Sequence, residues 1–175
     1  LDEKRISVEE LYRAHARFVA SFLVRLGARE SDMEDLLQEV FLVAHRAGGF
    51  MPGRARATTW LAEIALRVWA NARRARRRAV ERMVEADVDE IAGSSPTPED
   101  SALRAGALER VQRCLDELDE DHRAVFVLFE LYGERTDDIA TALGVPVGTV
   151  HSRLHHARRR FRTAWERLAR ARGAA

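Results

Sequence analysis

The chain has 175 residues, 46% of them apolar, which is enough to bury one sizeable core or two small ones and argues against disorder throughout. Only Lys4 among the 29 basic residues is lysine, the net charge is +1 and Cys114 is the single cysteine, so an internal disulfide and a cysteine-cluster metal site are excluded and a reducing, cytoplasmic setting is expected. No apolar run approaches the ~18 residues that span a bilayer, and the opening LDEKRISVEEL is charged rather than signal-like, so neither stable membrane insertion nor export is expected.

In chain order, Leu11, His15, Phe18, Val19, Phe22, Leu23 and Leu26 recur at helical spacing, and Gly27 stands where a left-handed residue ends a helix. Ser31 and Glu34 have capping-box spacing. Met33, Leu36, Leu37, Val40, Phe41 and Ala44 then form the stripe of a second helix that stops near Gly48 and Gly49. FMPGRARAT reads as a loop, and Leu61, Ile64, Ala65 and Val68 begin a third helix from Trp60 that continues into ANARRARRR. The far half of that helix has little apolar content and must be solvated or bound to an anion.

After Met83 the stretch VDEIAGSSPTPED combines acids, Ser, Gly and two prolines in the manner of a linker. The expected organisation is therefore a helical domain over 1–83, a flexible acidic linker over 84–100 and a second helical domain over 101–175. Fully stretched at about 3.3 Å per residue the linker reaches roughly 50 Å, more than one turn of DNA at about 34 Å. Leu103, Leu108, Val111, Leu115 and Leu118 make one further stripe, and Val125, Phe126, Leu128, Phe129 and Leu131 another before Gly133. No stretch alternates as a strand does, so the fold class is all-α.

Near the end, Thr136 is placed to cap a short helix with Ile139, Ala140 and Leu143 facing inward. Gly144, Val145 and Pro146 turn the chain, and a second helix from Val147 buries Val150 and Leu154. A helix-turn-helix needs a small residue where its helices cross, a turn residue tolerant of positive φ and an apolar anchor on the second helix; Ala140, Gly144 and Val150 meet those needs. Burying Val150 and Leu154 turns Thr149, His151, Ser152, Arg153 and His156 outward, toward base edges and phosphates in a major groove. Arginines at 158, 159, 160 and 162 add phosphate grips. The charge pattern agrees: residues 51–82 carry nine arginines against two acids, 83–121 three against twelve, and 144–175 eight against one. One such block is commonly a solvated helix face; two flanking an acidic one favour polyanion binding.

Three phrases, in this order, resemble a bacterial RNA polymerase sigma factor of the extracytoplasmic-function group within the sigma-70 family. LGVPVGTVHSRLHHARRRFR is similar to that group's C-terminal domain, which reads the minus-35 promoter element. ESDMEDLLQEVFLVAHR resembles the helix that grips the polymerase clamp, and TWLAEIALRVWANARRARRR the helix that recognises and opens the minus-10 element. The resemblance implies core polymerase contacts at Asp35, Leu36, Gln38, Glu39 and Phe41; spacings of three and four put Asp35, Gln38 and Glu39 on one polar face. It implies minus-10 contacts at Phe50, Arg54, Arg56, Trp60, Asn71, Arg73, Arg74 and Arg77, with the FMPGRARAT loop as the pocket for a flipped base. Without it, Phe50, Trp60 and Trp69 read as core and the helix of Asp35 as an ordinary amphipathic one. It further implies minus-35 contacts at Thr149, His151, Ser152, Arg153, His155, His156, Arg158, Arg159 and Arg160, an anti-sigma protein as a further partner, and neither cofactor nor metal.

Two departures from the family pattern stand out. His151 occupies a position where lysine is common, with His155 and His156 nearby, so upstream contacts are expected to respond to pH around the ordinary histidine value of about 6.5. Asp119 follows Leu118 where Pro is usual, which changes the cap of the next helix but not the fold. An enzyme finds little support: Cys114 lies in an apolar stripe, His151 and His155 lack an accompanying carboxylate or thiol, and no phosphate-binding glycine loop is present. The competing readings are a stand-alone helix-turn-helix regulator, which binds an operator without polymerase, and a protein-interaction module, whose arginines meet acidic partners.

Overall fold

The computed structural model describes residues 5–53, 56–83 and 99–173. The expected linker, apart from its last two residues, lies outside them, as does Arg54. Among the described residues seven α-helices run in order: α1 (Val8–Leu26), α2 (Met33–Arg46), α3 (Ala57–Met83), α4 (Glu99–Asp116), α5 (Glu120–Phe126), α6 (Thr136–Leu143) and α7 (Val147–Gly173). Among the described residues there is no strand, only an isolated antiparallel bridge between Ile6 and Phe50.

α1, α2 and α3 pack mutually. Leu11, Val19, Phe22, Leu23 and Leu26 of α1 meet Leu36, Val40 and Ala44 of α2 and Leu61, Ile64, Ala65, Val68 and Trp69 of α3, all buried. Burying a Leu or Phe side chain contributes ~2 kcal/mol, so these three stripes supply most of what holds the bundle. The capping box sits at α1, where Ser7 Oγ accepts from the Glu10 N–H and the Glu10 carboxylate accepts from the Ser7 N–H at 2.8 Å. Ser31 and Glu34 do not form the expected box: Glu30–Asp32 enter α2 through a 3₁₀ turn, so Ser31 lies inside the turn. α1 ends at Gly27, φ 92°, as expected. The bridge to Ile6 closes so tightly over the end of α2 that a Cβ on Gly49, φ +88°, would lie 2.4 Å from the Ile6 carbonyl oxygen.

In the C-terminal half α7 packs on α4, α5 and α6. Asp119 caps α5 by accepting from the His122 N–H at 3.1 Å, so the departure at this position does alter the cap and leaves the helix in place. After α5 the chain widens into a π turn, Val127–Leu131, with the Tyr132 N–H donating to the Val127 carbonyl at 3.2 Å. Gly144 closes α6 at φ 64° and Val150 and Leu154 are buried, which is the expected helix-turn-helix. Thr136 is the first residue of α6; Arg135 holds the cap position and no side chain caps it. Leu108 is 54% exposed and Leu131 44%: the first lies off the α4 stripe, and the second follows the π turn, which rotates the end of the apolar run outward.

Both halves contribute to one continuous cluster of buried residues. The Tyr132 ring meets Phe18 edge-on at 4.8 Å while its hydroxyl donates to Ser21 Oγ at 2.9 Å. The Arg123 guanidinium donates to the Leu26 carbonyl at 3.0 Å and the Leu118 carbonyl at 3.2 Å, a cation shared by the C-terminal ends of α1 and α4. Burial lowers the Arg123 pKa from its ordinary value, opposed by the Asp116 carboxylate 3.1 Å away.

Candidate nucleic-acid interface

Three faces gather the predicted site residues. On α2, Asp35, Gln38 and Glu39 are exposed in a row, as their spacing requires. Leu36 and Phe41 are not on that face; they are buried at 5% and 6% exposure because they belong to the stripe that packs inward. Leu42 is exposed in their place, and Tyr12 of α1 stands beside the face with its ring 4.9 Å from that of Phe41. The signal for Leu42 was its distance of four and three residues from Gln38 and Glu39; an apolar residue on a polar face passes for core in a stripe count.

Between α2 and α3 runs a groove of about 680 Å³ bordered by Asp35, Glu39, Val43, Arg67, Asn71 and Arg76. Its rims belong to the polar face of α2 and the basic face of α3. On α3, Asn71, Arg73, Arg74 and Arg77 are exposed, with Arg74 donating to Asn71 Oδ1 at 2.6 Å. Arg73 lies over the Trp69 ring at 5.4 Å and pairs with Glu120 of α5. Arg76 instead pairs with Asp32.

The loop before α3 differs from expectation in two respects. The helix starts at Ala57, three residues before Trp60, so Thr58 and Thr59 are already helical. Phe50 is buried and packs against the half-buried Trp60 at 5.5 Å, which removes it from the surface that could stack on a base. Met51, 54% exposed, is the apolar side chain the loop presents. Thr58 and Thr59 donate to the two carboxylate oxygens of Glu134 at 2.7 and 2.6 Å, and Arg56 reaches that carboxylate at 3.8 Å.

On α7, His151, Ser152, His155, His156, Arg158, Arg159 and Arg160 are exposed, whereas Thr149 and Arg153 are half-buried. Three of the arginines carry internal partners: Arg153 pairs with Asp121, Arg158 with Glu130 at 2.6 Å, and Arg160 with Asp119 at 3.0 Å. Ser152, His155 and Arg159 are spaced three and four residues apart and so share one exposed face over two turns of the helix, away from the buried Val150 and Leu154. His122 joins the histidine group from α5, its ring 6.0 Å from that of His156 and its Nδ1 2.5 Å from Asp119 Oδ1. Partial burial by itself would raise the Asp119 pKa; the ring and backbone hydrogen bonds from His122, with the charges of His122 and Arg160, outweigh it and hold the carboxyl below its ordinary value. Among the described residues no helix is long and apolar enough to cross a membrane.

Comparison with known proteins agrees with this arrangement of two helical halves and a terminal helix-turn-helix. Residues 11–79 match the family model "Sigma-70 region 2" and residues 108–161 match "Sigma-70, region 4". The chain is 34% identical over 161 residues to the ECF RNA polymerase sigma factor SigE of Mycolicibacterium smegmatis, covering 89% of this chain but 60% of that protein. It is 31% identical to the RNA polymerase sigma-H factor of Pseudomonas aeruginosa, covering 87% of this chain and 82% of the relative, and 34% identical to the ECF sigma factor SigL of Mycobacterium tuberculosis, covering 90% and 88%. In fold it resembles the sigma factor RpoE solved with the anti-sigma factor NepR from Bartonella quintana, with a TM-score of 0.73, 22% identity and coverage of 90% and 96%. CnrH, solved with the cytosolic domain of CnrY, gives a TM-score of 0.64 at 24% identity, covering 91% and 87%. The chain belongs to the sigma-70 family of RNA polymerase sigma factors, in its extracytoplasmic-function group.

Proposed function

We propose that the chain binds core RNA polymerase and directs it to two-part promoters, with each interface supplied by a different helix. The observation that carries this reading is the presence, in one chain, of both sigma-70 regions in order, each with a separate polar or basic face. Asp35, Gln38, Glu39 and Leu42 on α2 meet the polymerase. Asn71, Arg73, Arg74 and Arg77 on α3 meet the minus-10 element, where Trp60, Arg56 and Met51 border the loop that receives an unpaired base. Ser152, His155 and Arg159 dock in the major groove of the minus-35 element, flanked by Thr149, His151, Arg153, His156, Arg158 and Arg160. The chain supplies promoter choice and strand opening, and the polymerase supplies the catalysis. An anti-sigma protein is the natural antagonist, since the groove between α2 and α3 and the neighbouring Leu42 offer it an apolar seat with an acidic and basic rim.

The test is transcription from fragmented genomic DNA by sigma-free core polymerase with and without the purified chain, followed by mapping of transcript 5′ ends. Starts that require the chain and share a two-part upstream motif are expected. Tight, sequence-specific binding of DNA by the chain alone, as a symmetric dimer and without starts, would instead identify a stand-alone regulator.

A further inference from the structure

A pocket where the end of α1, one face of α3 and the corner between α4 and α5 meet is lined by five guanidinium groups, Arg29, Arg73, Arg76, Arg77 and Arg123, against one carboxylate, Asp116. We infer that this pocket is a binding site for a small polyphosphate, the chemistry shared by inorganic tripolyphosphate and the phosphate tail of a nucleoside triphosphate. The inference goes beyond the promoter reading and shares only Arg73 and Arg77 with it.

The sequence builds the pocket by placing arginine on a second face of α3. Trp69, Arg73, Arg76 and Arg77 fall at i, i+4, i+7 and i+8 and share one face, whereas Asn71, Arg74 and Arg78 fall at i, i+3 and i+7 and share another. The face of Asn71 is knit internally, with Arg74 donating to Asn71 and Arg78 Nε donating to the Arg74 carbonyl at 3.3 Å. The face of Trp69 instead meets the turn after α1, where Arg29 is exposed, and Arg123 of α5. Arg73 and Arg76 are joined to Glu120 and Asp32, carboxylates outside the lining, so both cations are held in place without adding an acid to the pocket wall.

Arg123 forms the floor. Its side chain is 11% exposed, and its two terminal nitrogens already occupy the Leu26 and Leu118 carbonyls, yet its Nε is a buried donor with no acceptor among the described residues. Burial lowers the Arg123 pKa, and the like charge of Arg73 lowers it further against the pull of Asp116. Guanidiniums gathered this closely repel one another, and a multivalent anion relieves that repulsion most where solvent screens it least. Their planar forks hold phosphate oxygens in pairs. The pocket encloses about 390 Å³, within the range of roughly 300 to 1,000 Å³ that holds small molecules, and Leu26 and Trp69 give it an apolar wall. Its shape selects the end of a phosphate chain over a nucleic-acid backbone. A terminal phosphoryl group enters a recess end-on, whereas an internal phosphodiester carries a sugar on each side and lies across the rim. Occupation engages Arg73 and Arg77 and so withdraws them from the minus-10 element.

The experiment titrates the full-length chain with sodium tripolyphosphate, GTP and orthophosphate by calorimetry in magnesium-free buffer at physiological ionic strength, and repeats the series with Arg29→Ala and Arg170→Ala. The Arg29 side chain caps nothing in the 3₁₀ turn that follows it, so its loss leaves the melting temperature unchanged. Arg170, exposed on α7 and paired with Glu166, controls for diffuse attraction to the other basic helix. One tripolyphosphate per chain is expected, bound on the order of tenfold more tightly than orthophosphate, with the affinity reduced on the order of tenfold by Arg29→Ala and unchanged by Arg170→Ala. GTP bound as tightly as tripolyphosphate makes a nucleotide the source of the chain, and tripolyphosphate alone makes it inorganic. Heats that never saturate, equal losses in the two variants, or orthophosphate bound as well as tripolyphosphate would overturn the site. An unphosphorylated single-stranded oligonucleotide, followed by anisotropy, separates the pocket from the DNA surface. Arg29→Ala is expected to leave its affinity within about twofold, and a loss as large as that for tripolyphosphate would return the pocket to the nucleic-acid interface and overturn the inference. If the oligonucleotide binds neither protein, the promoter reading of α3 fails, and the calorimetry still decides the pocket.

Discussion

Arg153, Arg158 and Arg160 look alike in the sequence, yet each faces a carboxylate 28 to 41 residues away in the chain, while Arg159 faces outward. A guanidinium already engaged must leave its partner before it meets phosphate, so the four are not equivalent. Arg159→Ala is expected to weaken upstream DNA binding and lower the slope of log affinity against log salt by about one, with an unchanged melting temperature. Arg153→Ala should weaken binding less and lower the melting temperature, because it strips a half-buried cation from Asp121 at the α5–α7 contact. Anisotropy titrations over a salt series, with thermal melts, distinguish the two. Asp119 offers a second test at this scale. Its carboxyl is held below the ordinary value of 3.8, so the stability it adds is complete above that value and is lost as pH falls through the lower folded value. Asp119→Ala should cost about 1 kcal/mol near neutral pH through loss of the α5 cap, and the gap to wild type in denaturant melts should close in acid. The type of residue at each site was legible in the sequence. Its partner was not, since the acids lie on other elements and no local spacing encodes their proximity.

At the scale of elements, the apolar periodicities predicted α1, α2 and the helix-turn-helix closely, because each helix buries a single stripe and positive-φ glycines stop α1 at Gly27 and α6 at Gly144 and follow α2 at Gly48 and Gly49. The failures fall where two local signals compete. Ser31 could cap a helix or enter a 3₁₀ turn, and tertiary packing chose the turn. The continuous run of Val125 to Leu131 has no polar position to reveal its phase, so the π turn within it was invisible. The resemblance, not the periodicity, put Leu36 and Phe41 among the polymerase contacts; the periodicity had already set them in the stripe of Val40 and Ala44, where they are buried. The surviving face can be tested as a unit: Asp35→Ala combined with Gln38→Ala should reduce core polymerase affinity at least tenfold in a pull-down titration. Isolated upstream DNA binding should be untouched, since both residues are exposed on α2 and contribute nothing to α7. Loss of both activities together would mean that the two surfaces are not separate.

For the whole molecule, the near-zero net charge conceals a division of labour that composition alone suggested and geometry completes. The acidic corner between α4 and α5 supplies Glu117 to Arg167, Asp119 to Arg160 and Asp121 to Arg153 of α7, and Glu120 to Arg73 of α3. On the proposed function, one cluster of carboxylates therefore competes with nucleic acid on both basic helices. Apart from the half-buried Arg153, the partners in these pairs are well exposed, and each such exposed pair contributes at most about 1 kcal/mol to stability, so the competition at Arg73, Arg160 and Arg167 can be relieved without unfolding the chain. Glu120→Gln is the clean probe, because Glu120 is neither a cap nor part of the buried core. Freeing Arg73 should raise the affinity of the chain for a single-stranded oligonucleotide several-fold at low salt and steepen its salt dependence by nearly one counterion, while the melting temperature stays within a degree or two. An unchanged salt slope would mean that Arg73 does not meet the backbone. A steeper slope with unchanged duplex binding would assign the gain to α3 rather than α7, as expected if the corner restrains the two DNA-facing helices separately.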